Sequence, residues 1–175
     1  MKILVGYATK EGQSRKIARW IADRAADAGH SSELLALDDA DGLEMARFDR
    51  AVLVASIHVG QFKPALAEFA AAHAGWLGAH PTLFLPVSLA AAGHDSDDWR
   101  ALAKIEQDLA QATGWTPSRV EHTAGAYTPS RYDMLTRFIM RRIVAKKDPD
   151  ADLDVDHEYT DWADLGRVVD SWLEA

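Results

Sequence analysis

The stretch Ile3-Leu-Val-Gly-Tyr-Ala-Thr-Lys-Glu-Gly-Gln-Ser-Arg-Lys-Ile17 decides how the rest of the chain is read. Its apolar start, Ile3 to Val5, reads as a buried strand, and Thr9 to Ser14 as a polar turn. Beyond the turn Ile17, Trp20, Ile21, Ala25 and Ala28 recur at helical spacing. A strand, a hydroxyl-bearing turn and a helix in that order build an anion site. The turn aims backbone N–H groups at one point, and the helix start adds its partial positive charge. Thr9 and Ser14 supply hydroxyls; Lys10, Glu11 and Gln13 supply backbone amides; Gly12 lets the backbone approach a ligand closely. Two common phosphate loops are excluded. The P-loop requires Lys where Gln13 stands, and the dinucleotide fingerprint requires more glycines than Gly6 and Gly12 provide. The competing reading is an ordinary strand-to-helix turn with Ser14 as the helix cap.

Outward from this stretch, Gly29 stops the first helix. Glu33–Leu37 reads as a second strand and Ala51–Ser56, apolar throughout, as a central third. Pro81–Val87 is a fourth and Val120–Tyr127 a fifth. Leu66, Phe69, Ala70 and His73 mark a helix between strands; Leu102, Ile105 and Leu109 mark another, closed by Gly114. Trp162, Leu165, Val169, Trp172 and Leu173 mark the last helix, capped by Thr160 or Asp161. Strands alternating with helices predict one α/β domain over residues 1–175, with a doubly wound five-stranded parallel sheet in the order 2-1-3-4-5. Ligands of such sheets sit at the carboxyl ends of the strands, where strand order reverses.

Two further loops reach that edge. One is Ile57, His58, Val59, Gly60 and Gln61; the other is Ser88, Leu89, Ala90, Ala91, Ala92 and Gly93. Both are small or glycine-bearing, so a flat ring can lie against their backbone. His58 is the one side chain here suited to hydrogen-bond such a ring or accept a proton near neutral pH. A structural histidine at a strand end is the alternative.

The 175 residues suffice for a real core, and 48% hydrophobic with 26% charged residues is an ordinary globular mix. A formal net charge of −8 argues against nucleic acid as a partner. There is no cysteine, which removes disulfides, iron–sulfur clusters and thiol redox chemistry, so electron transfer here requires a bound cofactor. No apolar run approaches a membrane span, and the N-terminal apolar run is too short for a signal peptide. A cytoplasmic protein is expected. The acidic triplet Asp38, Asp39 and Asp41 reads as a solvated turn; no metal site is expected.

Residues 128–160 exceed a minimal five-stranded fold and form an insertion before the last helix. From Arg131 to Lys147 six basic residues, including Arg137, Arg141 and Arg142, face a single acid, Asp133. Met134, Leu135, Phe138, Ile139 and Ile143 fall at helical spacing. A basic amphipathic helix of this kind suits an anionic membrane surface, an acidic amphipathic ligand or a partner subunit, and a core-packed helix with a solvated basic face is the alternative. The acidic run Asp148 to Glu158 fails the calcium-loop pattern, with Leu153 and Tyr159 at the Gly and Glu positions.

The turn T-x-x-G-x-S resembles the flavodoxin loop around the monophosphate of FMN. The chain as a whole resembles the flavodoxin-domain protoporphyrinogen IX dehydrogenases of the quinone-dependent bacterial type. The likeness rests on Thr9–Ser14, on Phe48–Ile57 ending in Ala-Ser-Ile, on Gly125-Ala-Tyr and Arg131-Tyr, on Arg137-Phe-Ile-Met, and on Tyr159-Thr-Asp-Trp162. The inserted helix followed by Tyr-Thr-Asp-Trp is the specific part, because ordinary flavodoxins lack it. The resemblance implies FMN as cofactor and oxidation of protoporphyrinogen IX with menaquinone or ubiquinone as acceptor. It also implies peripheral attachment to the inner membrane. A flavodoxin-like electron carrier or quinone reductase is the alternative. The substrate's two propionates call for cations, for which Lys63, Arg131, Arg137 and Arg141 are the candidates. His58 stands where the family's best-known members are expected to carry Arg, and the loop after Ser88 lacks the expected basic residues.

Overall fold

The computed structural model describes every residue from Met1 to Ala175. In chain order the elements are β1 (Lys2–Ala8), α1 (Gln13–Asp27), β2 (Ser31–Ala36), β3 (Arg50–His58), β4 (Gln61–Phe62), α2 (Pro64–Ala72) and α3 (Ala74–Ala79). There follow β5 (Thr82–Ser88), α4 (Ser96–Thr113), β6 (Arg119–Val120), β7 (Thr123–Ala124), β8 (Ala126–Tyr127), α5 (Met134–Lys147), β9 (His157–Glu158) and α6 (Trp162–Glu174).

The main sheet runs β2-β1-β3-β5-β6, all parallel, with β7 continuing beside β5 and β4 folded back antiparallel on β3. This is the expected doubly wound order. Side-chain alternation divides the core between the two faces of the sheet. Ile3 and Val5 of β1, Val52 and Val54 of β3, and Leu83 and Leu85 of β5 pack under α1 and α6 with Ile17, Ile21, Val169 and Trp172. Leu4, Leu53 and Phe84 face the other way, onto Leu66 and Phe69 of α2 and onto Trp115. The apolar strand expected at Ala51–Ser56 extends two residues further, to His58, and so carries the sheet into the site.

One expectation needs correction, and two readings that the sequence left open are decided. The fifth strand is not one strand. β6 pairs with Leu83–Phe84 and β7 with Val87–Ser88; between them the Glu121 N–H still donates to the Phe84 carbonyl, and the pairing is interrupted at His122, whose side chain turns to Glu106 on α4. After Gly125 the chain departs from the sheet altogether, and β8 pairs antiparallel with β9. Second, Ser14 does not cap α1. Gly12 is the cap residue, at φ +98°, and Ser14 lies buried in the first turn. Third, α5 packs into a core along only part of its length. Met140 and Val144 pack on Tyr127 in a small satellite core with Tyr132, Ile143, Leu153 and Tyr159. Met134, Leu135 and Phe138 are 91%, 70% and 60% exposed, because the first two turns of α5 extend past that core. The last helix is capped by Asp161, whose carboxylate accepts the Asp164 N–H at 2.9 Å.

Candidate functional site

The turn between β1 and α1 is built as a cradle. The Thr9 hydroxyl oxygen accepts the Gly12 N–H at 2.9 Å, which curls the turn and holds Gly12 at a positive φ that other residues rarely adopt. The N–H groups of Lys10, Glu11, Gln13 and Ser14 donate to no acceptor in the protein. The Ser14 hydroxyl is fully buried and has no partner either. A buried hydroxyl without a partner costs roughly 1–3 kcal/mol, a cost that a ligand oxygen in the cradle would relieve. Arg131, arriving from the insertion, places a guanidinium nitrogen 2.7 Å from the Glu11 carbonyl oxygen and 3.0 Å from where a Cβ on Gly12 would stand. Donors, a helix start and a cation thus converge, and the residues fit a phosphate monoester.

Beside the cradle lies a cleft of about 300 Å³ at the carboxyl edge of the sheet. Glu11 and Gln13 line it from the cradle, Ser56 to Gly60 from β3 and its turn, and Ser88 to Ala90 from the end of β5. Val59 and Gly60 form a two-residue hairpin turn with φ +49° and +73°, a geometry that suits Asn-Gly and strains a β-branched residue. The Ser88 hydroxyl accepts the Ala91 N–H at 3.2 Å and closes the other loop over a single turn of 3-10 helix at Ala90–Ala92. His58 is largely buried, with Nδ1 3.3 Å from the Glu11 carboxylate. The carboxylate of a residue in the anion cradle is thereby turned toward an imidazole.

The insertion holds the cradle from outside. Glu158 of β9 pairs with Lys16, accepts the Gln13 amide at 3.1 Å and accepts the Trp162 indole N–H at 2.7 Å. Burial pushes the Glu158 carboxyl up, but the bonds from Lys16, Trp162 and Gln13 outweigh it and hold it below the usual range. Thr160 accepts the Gln13 amide at 2.9 Å and donates to the Ala124 carbonyl at 2.7 Å, and Trp162 packs on Trp20 with ring centres 5.4 Å apart. The Tyr-Thr-Asp-Trp signature is therefore a clamp on the first turns of α1.

Of the residues singled out in the sequence, Glu11, Gln13, Ile57, His58, Val59, Gly60, Ser88, Leu89 and Ala90 share the cleft. Thr9, Lys10, Gly12 and Ser14 form the adjoining cradle, whereas Gln61, Ala91, Ala92 and Gly93 stand outside the cleft lining. The four expected cations are dispersed. Lys63 lies on Asp38 at 2.9 Å, Arg131 at the cradle, Arg141 on Asp154 at 2.6 Å, and Arg137 is exposed on α5. Gly125, Ala126, Tyr132 and Lys147 line the cleft but were not foreseen as site residues. For Gly125 the signal was present: it is a small residue where a strand reaches the ligand edge, and a Cβ there would meet Val87 at 3.2 Å.

An anion cradle beside a cleft, both at the switch point of a doubly wound sheet, has the layout of a site for a phosphorylated ligand. The chain belongs to the flavodoxin domain family, which it matches over residues 4–154. Membership and fold imply a flavin site. Over 169 residues the chain is 28% identical to an Escherichia coli K12 protein named protoporphyrinogen IX dehydrogenase (quinone), covering 97% of this chain and 93% of that one. A Leishmania major protein of the same name is 28% identical over 169 residues, covering 96% of this chain and 73% of that one. Oxidised flavodoxin 1 from Bacillus cereus shares the fold, with a TM-score of 0.57 at 12% identity, over 99% of this chain and 98% of that one.

Proposed function

We propose that this protein is an FMN-dependent dehydrogenase that oxidises protoporphyrinogen IX to protoporphyrin IX and passes the electrons to a membrane quinone, menaquinone or ubiquinone. The observation that carries this is the 28% identity over 97% of the chain to a dehydrogenase of that name, a likeness that spans the insertion as well as the flavodoxin core. The site supports the cofactor. Ser14, the free amides of Lys10, Glu11, Gln13 and Ser14, and Arg131 would hold the phosphate, and the Ile57–Gly60 and Ser88–Ala90 loops would flank the ring. When bound, FMN supplies the hydride acceptor. The chain's own residues orient the ring, cover one side of the cleft with α5, and place the His58–Glu11 pair at its edge.

No helix is long and apolar enough to cross a membrane. The exposed Met134, Leu135 and Phe138, with Arg137 and Arg142 beside them, support peripheral attachment to an anionic membrane surface through α5. The electron-carrier reading draws on the shared fold alone. The deciding experiment is an anaerobic assay of the FMN-loaded protein with protoporphyrinogen IX and a quinone analogue. Quinone-dependent appearance of porphyrin fluorescence is expected. A flavin that is reduced by other donors while no porphyrin forms would assign the protein to the carriers.

A further inference from the structure

The cleft does not end at the two loops that flank the expected ring. It continues as a wedge between α4 and α5, walled by Ala101, Leu102 and Ile105 on one side and by Met140 and Ile143 on the other. Lys147, in the last turn of α5, is the only lysine or arginine that lines it. Its ammonium is paired with Asp98, which also lines the cleft, and its side chain is only 24% exposed. We infer that this wedge seats the ring of the organic substrate and that Lys147 is the anchor for one of its carboxylates. The inference rests on the function proposed above and names the subsite in which that substrate lies.

The argument is one of chemistry and position. A tetrapyrrole with propionates presents a broad apolar face and a carboxylate at its margin, and the wedge presents apolar walls with a cation among its lining. None of the four cations expected from the sequence lines the cleft, so none can serve there. Asp98 occupies the ammonium as a stand-in carboxylate. It sits in the first turn of α4, where a helix start favours negative charge, so it can give up Lys147 at small cost. A ligand carboxylate would exchange for it, keeping the ammonium paired throughout. The competing role for Lys147–Asp98 is a strap that merely ties α5 to α4.

The two roles separate because each variant breaks the pair but only one removes the anchor. The FMN-loaded protein is titrated with protoporphyrin IX and with its dimethyl ester, following porphyrin fluorescence. The wild-type protein should bind the diacid more tightly than the diester. Lys147→Gln should weaken the diacid about tenfold, the low end for a partly exposed charged hydrogen bond, and leave the diester unchanged. Asp98→Asn should do the reverse and tighten the diacid severalfold, since a competitor is removed. Flavin content and circular dichroism report that both variants are folded. If both variants shift diacid and diester alike, or if Lys147→Gln leaves the diacid unaffected, the anchor is overturned and the strap remains. If the wild-type protein binds neither porphyrin and turns over no protoporphyrinogen, the proposed function itself fails, an outcome that the wild-type controls distinguish from failure of Lys147 alone.

Discussion

Ser14 carries its hydroxyl into a place where nothing in the protein meets it. That arrangement predicts a variant with opposite effects on the two forms of the protein. Ser14→Ala removes a donor to a charged phosphate oxygen and should weaken FMN by about 1.5–3 kcal/mol, roughly 10- to 150-fold. The same change deletes an orphaned buried polar atom, so the flavin-free protein should melt no lower than wild type. Flavin titration and thermal denaturation read the two effects, and unchanged affinity would show that the hydroxyl faces no phosphate. Val59 makes the second residue-scale argument. A β-branched side chain at φ +49° in a hairpin turn is strained, and the strained residue lines the cleft. Val59→Asn should stabilise the flavin-free protein by about 1 kcal/mol, because Asn tolerates the left-handed region. A lower melting temperature would show that the Val59 side chain contributes packing worth more than its strain.

At the scale of elements, α5 is two helices in one. Its later turns belong to the satellite core through Met140 and Val144; its first turns present an apolar patch with Arg137, and Arg142 from the next turn lies over the Phe138 ring, neither arginine having a carboxylate partner. Each basic residue near an anionic bilayer contributes on the order of 1 kcal/mol, and physiological salt screens beyond roughly 8 Å. Arg137→Glu with Arg142→Glu should therefore abolish salt-sensitive binding to anionic vesicles. Flavin content and the KM for protoporphyrinogen in detergent should not change, since neither residue lines the cleft. A raised KM in detergent would instead place these arginines on the substrate. The sheet was legible in the sequence because Ile3–Val5 and Ala51–Ser56 read as apolar runs, as strands covered on both faces do; the loop Thr9–Ser14 was less so, because a strand-to-helix turn capped by Ser14 has the same residues. The face of α5 was not legible. Eight apolar residues are spread around a fourteen-residue helix, and the position of Tyr127, set by β8 leaving the sheet, selects which of them are buried. Lys147 was hidden for the same reason: its role depends on α4 lying opposite.

Across the whole molecule the insertion does two jobs at once. It clamps the cradle through Arg131, Glu158 and Thr160, and it walls the cleft through α5, so loosening it should be felt at the flavin. Two titrating groups set the pH limits of that coupling. Glu158 is held below its usual range, so its contribution is present above about pH 4.5 and is lost as the pH falls through its lowered value. Tyr159 behaves in the opposite sense. Burial first, and then its hydrogen bond to Asp148 at 3.0 Å, push its hydroxyl up to about 12. The folded protein thus holds this proton more tightly than the unfolded chain. The resulting stability is complete below about pH 10 and disappears as the pH rises toward about 12. Tyr159→Phe deletes both the hydrogen bond and the titration. At pH 8 the variant should be less stable than wild type by about 0.5–1.5 kcal/mol. Above pH 10 the gap should close, as wild type loses what the variant never had. Tyr127 and Tyr132, both raised first by burial, keep an alkaline limb in either protein, so the two curves should converge rather than the variant's become flat. Urea denaturation at intervals from pH 8 to pH 11.5 measures the gap directly. A gap that stays constant across that range would mean that Tyr159 ionises as freely in the folded protein as in the unfolded chain, and that the hydrogen bond to Asp148 does not hold the insertion in place.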